Sequence, residues 1–293
     1  MKALIVLVLA TIVYANVQRP VKRNNIKWGF IINYAIPLAE KIRKAEEQIM
    51  MTSERIVGGN PAALGQFPYQ VGLLATYSGI AGVGVCGGSI ISSTRILTAA
   101  HCWFDGSTQA LQFTVVYDTP FLFHGGQRMD SSVVAVHPEW KPFLVRNDVL
   151  VIYLPAPIIF SDTVSPIALP SGEQVQQDFV GVTAVASGFG LISDGGSISN
   201  NQLLNYVNLI VISNNVCSLS FPAIIQSSNI CTSGNNGVGT CRGDSGGPLA
   251  TTIDGKPVQI GITSFGSARG CQSGFPHAYA RVTYFVDWIN EHL

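Results

Sequence analysis

Ser245 stands in the run Thr240-Cys-Arg-Gly-Asp-Ser-Gly-Gly-Pro-Leu249, with Asp244 beside it and Gly243, Gly246 and Gly247 around it. A serine hydroxyl is a weak nucleophile at neutral pH and needs a base within hydrogen-bond reach. It also needs donors aimed at the oxygen that becomes negative when a carbonyl is attacked. Glycines suit that role, since a backbone without Cβ turns tightly and presents its N–H groups. A Gly-rich loop with Ser and Asp is common, so the reading depends on a matching base. Of five histidines, His137 precedes a proline, His292 adjoins the end of the chain and His124 lies before Gly125-Gly126. His101, in Leu97-Thr-Ala-Ala-His-Cys102, is flanked by small residues and a cysteine that can pin its backbone. An imidazole used as a base needs a carboxylate to fix its tautomer. Asp148 opens the apolar run Val149–Ile152 and can be held rigidly there. Alone, each reads as an ordinary loop, core or turn residue; together, Ser245, His101 and Asp148 are the parts of an acyl-transfer site.

Elements must bring these distant residues together. From residue 56 the pattern is all-β: Gln70–Ala75, Ser89–Ile91, Phe113–Tyr117, Ser132–Val136, Val149–Leu154, Val182–Ser187, Leu204–Ile212 and Val258–Phe265 are short, rich in Val and Ile, and bounded by Gly, Pro, Asn and Ser. Such a series predicts a sandwich or barrel. At the end, Phe285, Trp288, Ile289 and Leu293 share one helical face behind Thr283 as N-cap.

The first 55 residues differ. They carry nine Lys/Arg and four Asp/Glu, a net of +5, against −5 for the remainder. Residues 1–15 have the form of a secretory signal: Lys2, an apolar run from Ala3 to Val13, then Val13-Tyr14-Ala15. The run is too short to span a bilayer. Residues 16–55 read as an activation propeptide. Leu38, Ile42, Ala45 and Ile49 mark one face of a short amphipathic helix, with Pro37 in its first turn. Glu40, Lys41, Arg43, Lys44, Glu46 and Glu47 form its solvated face, and a disordered leader is the competing reading. Arg55-Ile56-Val57-Gly58-Gly59 is a basic cut site followed by a strand; a newly cut Ile56 would offer an ammonium to Asp244.

All six cysteines (Cys86, Cys102, Cys217, Cys231, Cys241, Cys271) follow residue 55, and an even count behind a signal sequence favours disulfides. Counting leaves every connectivity open. No Cys-x-x-Cys spacing occurs and only Cys102 adjoins a histidine, so a zinc site is not expected; no cofactor is expected. Hydrophobic residues make up 47% and charged residues 12%, which excludes a disordered chain and, by composition, a nucleic-acid binder.

The runs Ile56–Gly59, Thr98–Cys102, Asn147–Val149, Gly243–Pro248 and Ser264–Gly266, in this order, resemble the chymotrypsin-like, trypsin-fold serine endopeptidases. The resemblance covers residues 56–293. It implies two packed six-stranded antiparallel β-barrels and a C-terminal helix, with disulfides Cys86–Cys102, Cys217–Cys231 and Cys241–Cys271. It implies that Ser245 attacks the scissile carbonyl, His101 carries the proton, Asp148 orients His101, and the N–H groups of Gly243 and Ser245 hold the oxyanion. These roles come from the family's triad and not from spacing. Ser264, Phe265 and Gly266 would pair with substrate as an added strand.

The resemblance makes Gly239, six residues before Ser245, the base of the primary pocket. No acid stands there to favour Arg or Lys. With Thr240 and Gly266, an open pocket for Phe, Tyr, Leu or Met is expected. His277, where the family has glycine after Pro276, would narrow the pocket or make it polar. Arg242 reads as a solvated side chain. The stretch from Tyr117 to Gln127, like the family's calcium loop, has Asp118 but no pair of glutamates, so calcium is not expected. With only Lys141 and Lys256 after residue 55, the chain is similar to secreted arthropod digestive chymotrypsins and collagenolytic relatives. The expectation is a secreted, monomeric, extracellular zymogen, activated after Arg55 by a separate trypsin-like protease. It would act on proteins and peptides, be restrained by protein inhibitors, and have neither nucleic-acid nor membrane partners. The alternatives are elastase-like or broad collagenolytic specificity, and a non-catalytic binding homologue.

Overall fold

Short β-branched runs separated by turn residues fold into antiparallel strands, and here they build two sheets. The structure is a computed structural model that describes residues 29–51, 61–191, 193–194 and 203–293. Residues 1–28, where the signal and the start of the propeptide are expected, residues 52–60, which hold the expected cut site at Arg55–Gly59, and the side chain of Ile49 lie outside the described residues. The first sheet contains β1 (Gln70–Tyr77), β2 (Gly84–Ser92), β3 (Arg95–Thr98), β4 (Ala110–Tyr117), β5 (Gln127–Ser131), β6 (Val134–Val136) and β7 (Leu150–Tyr153). Its order is β5-β4-β1-β2-β3-β7-β6. The second contains β8 (Thr183–Gly188), β9 (Asn205–Ile212), β10 (Asn229–Thr232), β11 (Pro248–Ile253), β12 (Lys256–Phe265) and β13 (His277–Arg281). It closes as a six-stranded barrel in the order β10-β13-β12-β11-β8-β9.

The first sheet is a half-barrel of seven strands where a closed barrel of six was expected. Its two edges, β5 and β6, are one strand interrupted at Ser132 and Val133. Ser131 Oγ donates to the Tyr153 carbonyl (2.5 Å), taking a place that a backbone N–H would otherwise fill. Tyr153 N–H then donates to Val133 O (2.9 Å), and pairing resumes with β7. The broken strand therefore serves β4 with one half and β7 with the other, and the sheet curls towards itself.

Each sheet buries its own apolar face. Val71, Leu73, Ile90, Ile96, Phe113, Val115, Leu150 and Ile152 fill the first, and Leu209, Ile230, Leu249, Ile260 and Tyr279 the second. The N-terminal helix begins with a π turn over Ile31–Ala35, in which Ile36 N–H bonds Ile31 O, and continues as α1 (Ile36–Met51). Pro37 is thus one turn inside the helix, not in its first turn. It has no N–H for the Asn33 carbonyl, and the ladder widens just before it. Leu38, Ile42 and Ala45 are buried as expected. Glu46, expected on the solvated face, is 0% exposed, because positions 38, 42 and 46 repeat every four residues and share the docked face.

Ser213 caps α2 (Asn214–Ser220), accepting the Val216 N–H on Oγ (3.3 Å). The last helix, α3 (Val282–Asn290), follows β13 with no intervening loop. Its N-cap is therefore Arg281, without a side-chain bond, and Thr283 lies buried in the first turn instead of capping it. Phe285 and Ile289 are buried, whereas Leu293 is 50% exposed. No helix among the described residues is long and apolar enough to cross a membrane.

Leu249 is fully buried in the closed barrel and Leu219 is exposed on α2. Leu249→Ala is expected to destabilise the fold by about 3 kcal/mol, and Leu219→Ala by about 0.5 kcal/mol or less. Urea midpoints of the two variants provide the comparison.

Candidate active site

His101 leaves the end of β3 in a single 3-10 turn, Ala100–Cys102, and the Cys86–Cys102 disulfide fastens that turn to β2. β3 pairs with β7 in a register that sets Thr98 opposite Leu150, which brings the residue before β7's apolar run alongside the turn. Asp148 consequently meets His101 twice. Its Oδ1 accepts the His101 backbone N–H (2.9 Å), and its Oδ2 lies 2.7 Å from Nδ1. A carboxylate only accepts, so Nδ1 carries the proton and Nε2 is left to receive one. From β12, Ser264 Oγ donates to the same Oδ2 (2.5 Å).

Asp148 is 2% exposed. Burial by itself would raise its carboxyl, but the charge and hydrogen bond of His101, the Ser264 hydroxyl and the His101 N–H outweigh it. The net displacement is below the usual carboxylate range.

The Ser245 loop is stitched to both sheets. Gly87 N–H donates to Ser245 O (2.7 Å), and Gly246 N–H to Thr263 O (2.8 Å). Gly243 and Gly246 have φ of 98° and 80°, conformations open to glycine. A Cβ at Gly246 would also strike Thr98 and the Gly87 carbonyl. Ser245 and His101 are each 7% exposed. His101 Nε2 is buried and has no hydrogen-bond partner among the described residues. The Phe30 ring stands edge-on to the imidazole, centroids 4.8 Å apart.

Asp244 lies deep in the molecule but keeps part of its surface on a cavity of about 340 Å³, lined among others by Gly190, Tyr206, Val207 and Thr240. Its oxygens accept the N–H groups of Gly190 and Cys241, both at 2.8 Å, and no cation among the described residues pairs with it. Burial pushes its carboxyl up to about 6 despite those two bonds. Asp148 and Asp244 are thus both interior acids, one compensated and one not.

A second cavity of about 250 Å³ joins Ser245, Thr240, Ser264, Phe265, Gly266 and His277. His277 is 2% exposed, and its ring fills the space a side chain at Gly239 would need. Burial lowers its pKa, so the ring is neutral at pH 7, and its Nε2 has no partner among the described residues. Cys241–Cys271 ties the Ser245 loop to the wall of this cavity, and Cys217–Cys231 ties α2 to β10. All three disulfides are those the resemblance implied. Both clusters of potential metal ligands among the described residues rest on disulfide cysteines, which offer no thiolate.

Sequence reasoning missed the hydroxyl of Ser264 as a partner of Asp148 and gave no role to Phe30 or Asp105; it placed Glu46 in solvent and His124 only beside a turn. Arg242, read as solvated, is exposed but stacks over the Tyr34 ring at 4.5 Å. Chemically, the buried Asp148–His101 pair can take a proton at Nε2 and hold the resulting imidazolium.

The Trypsin family profile matches residues 56–289. A protein named Collagenase, from Hypoderma lineatum, is 35% identical over 265 residues, spanning 89% of this chain and 97% of that one. Brachyurin from Leptuca pugilator is 36% identical over 248 residues, 80% of this chain and 96% of its own. A solved structure titled HL collagenase superposes with a TM-score of 0.72 at 36% identity, covering 81% of this chain and 98% of that chain.

Asp148 adds stability above its unfolded pKa, and that contribution is lost as pH falls through its depressed folded value. Ser264→Ala removes one bond to the carboxylate, so the loss should begin at higher pH. Ser264→Ala is therefore expected to be less stable than the parent at pH 8, with the difference shrinking as pH falls through the folded value, and its acid-unfolding midpoint is expected to move upward. An unmoved midpoint would mean that this hydroxyl does not hold the charge.

Proposed function

The chain belongs to the Trypsin family and is a serine endopeptidase, and from that premise we propose that it is a secreted zymogen whose mature form begins at Ile56. The proposal assigns residues 1–15 to a signal, 16–55 to the propeptide and 56–293 to the protease domain. The three disulfides support an oxidising, extracellular destination. The observation that carries the catalytic assignment is the buried Asp148–His101 pair with Nε2 unfilled, in the cleft that holds Ser245. Ser245 Oγ attacks the scissile carbonyl and His101 Nε2 takes its proton. The N–H groups of Gly243 and Ser245 receive the oxyanion, and His101 then protonates the leaving amine.

Activation is assigned to cleavage after Arg55. The uncompensated Asp244 carboxylate beside its cavity supports this, since the new Ile56 ammonium would supply the missing cation. No acid stands at Gly239 or His277, and the one carboxylate on the cavity they share with Ser245, Asp194, is engaged by the Cys271 and Gln272 N–H groups (both 2.7 Å), which supports a separate trypsin-like enzyme for that cut.

The preference proposed is for Tyr, Phe and Leu before the scissile bond, in digestion of protein. The cavity's size and its neutral base support it, and the unpaired His277 Nε2 suits a tyrosine hydroxyl. A second reading, elastase-like or broad collagenolytic cleavage, is favoured by the His277 ring above Gly239, which shortens the pocket.

To test this, purified precursor is cut with trypsin, the trypsin is blocked, and peptides differing before the scissile bond are compared. Cleavage after Tyr, Phe and Leu is expected to exceed cleavage after Arg at least about a hundredfold in kcat/KM, a difference of roughly 3 kcal/mol. Dominant cleavage after Ala or Val would select the second reading.

The activation assignment has its own measurement. With a folded pKa of about 6 against 3.8 unfolded, Asp244 favours the folded precursor at low pH, and the benefit fades as pH rises through that interval. Pairing with Ile56 removes this loss. In Ser245→Ala protein, which cannot digest itself, the cut form is expected to gain up to roughly 3 kcal/mol on the uncut form between pH 4 and 7. Parallel pH–stability curves for the two would refute the pairing.

A further inference from the structure

We propose that residues 29–51 are a clamp that blocks the cleft by binding it, and that the detached propeptide remains an inhibitor of its own protease after the cut at Arg55. This rests on the catalytic assignment above. The partner surface is the cleft and the flank of the first sheet, and its occupant is the chain's own amphipathic segment.

Three sets of contacts fix the segment. Along its length, Leu38, Ala39 and Ile42 pack with Leu74, Val85, Val116, Leu122 and Phe189 in one buried cluster. At its C-terminal end, the buried Glu46 accepts Leu122 N–H on Oε1 (2.6 Å) and Phe123 N–H on Oε2 (2.7 Å). Oε2 also lies 3.0 Å from His124 Nδ1. All three partners belong to one loop of the protease domain, so this carboxylate acts as a plug and not as a surface charge. At the N-terminal end, Ile31 N–H donates to Asp105 Oδ2 (2.9 Å).

Between these ends the segment crosses the reacting groups. Phe30 packs perpendicular to the His101 ring, centroids 4.8 Å apart. Tyr34 lies under Arg242, and both aromatic rings line the cavity that contains Ser245 and Gly266. Leu38 lies against Gly243, so a Cβ on that glycine would meet its side chain. The base, the approach to the pocket and the oxyanion position are therefore all crowded by one segment. No backbone hydrogen bond among the described residues joins it to Ser264–Gly266. It occupies the cleft without lying down as an added strand, so it does not present a bond for cleavage.

None of these contacts involves the Arg55–Ile56 bond. Cutting that bond leaves every described contact available, and no cysteine tethers the propeptide afterwards. Full activity then requires dissociation or a second cut. The exposed side of the helix offers sites for one at Lys41 and at Lys44, the latter 3.4 Å from Glu40, while Arg43 is held by both Glu40 and Glu47.

The test uses the full precursor, cut briefly with trypsin and then quenched. Ile56 termini and intact propeptide are counted by mass spectrometry beside the hydrolysis rate. The rate is expected to follow loss of intact propeptide, with at least about a tenfold deficit per Ile56 terminus while the propeptide persists. The cut propeptide should co-elute with the protease domain in gel filtration. Glu46→Ala should abolish co-elution and most of the lag. Phe30→Ala, at the partly exposed end, should shorten the lag without unfolding the precursor. A rate that follows Ile56 termini while intact propeptide is present overturns the clamp, as does propeptide that elutes alone. A protein that stays inert after its propeptide has gone counts against the catalytic assignment, whereas co-elution reads the clamp by itself.

Discussion

The Asp148 carboxylate is the constraint on which the cleft depends. A charge with 2% exposure is tolerable only when each oxygen has a partner, and the partners come from separate elements. His101 reaches it from the turn after β3, and Ser264 from β12 of the other sheet. The acid itself precedes β7. Satisfying one anion therefore sets the first sheet's register, the turn pinned by Cys86–Cys102 and the approach of the second barrel. The stitching of Ser245 to Gly87 and of Gly246 to Thr263 carries the same seam past the nucleophile.

Asp244 shows what the same fold does with an anion left uncompensated. It has two backbone donors, as firm as those of many structural carboxylates, yet burial still dominates its protonation. The two acids differ in the nearness of a titratable or cationic partner, not in depth alone. Such a difference suits the proposed activation: a site complete at His101–Asp148 before cleavage, and a neighbouring loop that awaits one positive charge. In this reading the cut changes the electrostatics under Ser245 and leaves the base in place.

The fold was legible wherever motif and periodicity were local. The long strands β1, β4, β8, β9 and β12 stood out as Val- and Ile-rich runs. The short β3, β10 and β13 did not, because four or five residues with Arg, Asn or His at their ends carry little period. The break between β5 and β6 depends on a Ser131 hydroxyl reaching a carbonyl 22 residues away, which no local pattern encodes. Within the site, residue type announced His101, Asp148 and Ser245, and the family resemblance supplied the disulfides. Ser264 was found for its backbone and not its hydroxyl. Glu46 was assigned to solvent because charge outweighed a four-residue spacing that pointed inward; its three partners lie 76 to 78 positions on.

That misplaced glutamate also explains how the proposed propeptide would be both an ordered helix and a removable one. A helix of this length is marginal alone, so its order comes from the surface it covers. Its apolar side is modest, with alanines at 35, 39 and 45 among the larger Ile31, Leu38 and Ile42. Small residues let it lie close, and the specificity of docking falls to directional contacts at its two ends, Glu46 on the 122–124 loop and the Ile31 N–H on Asp105. A segment held by a few directional anchors across a thin apolar face is released as a unit when one anchor or its helical continuity is lost. Lys41 and Lys44 stand on the outer side, where a protease that cleaves after basic residues would break that continuity. In the proposed activation, the specificity that selects Arg55 would then also dismantle the clamp, joining exposure of Ile56 and clearance of the cleft to one enzyme.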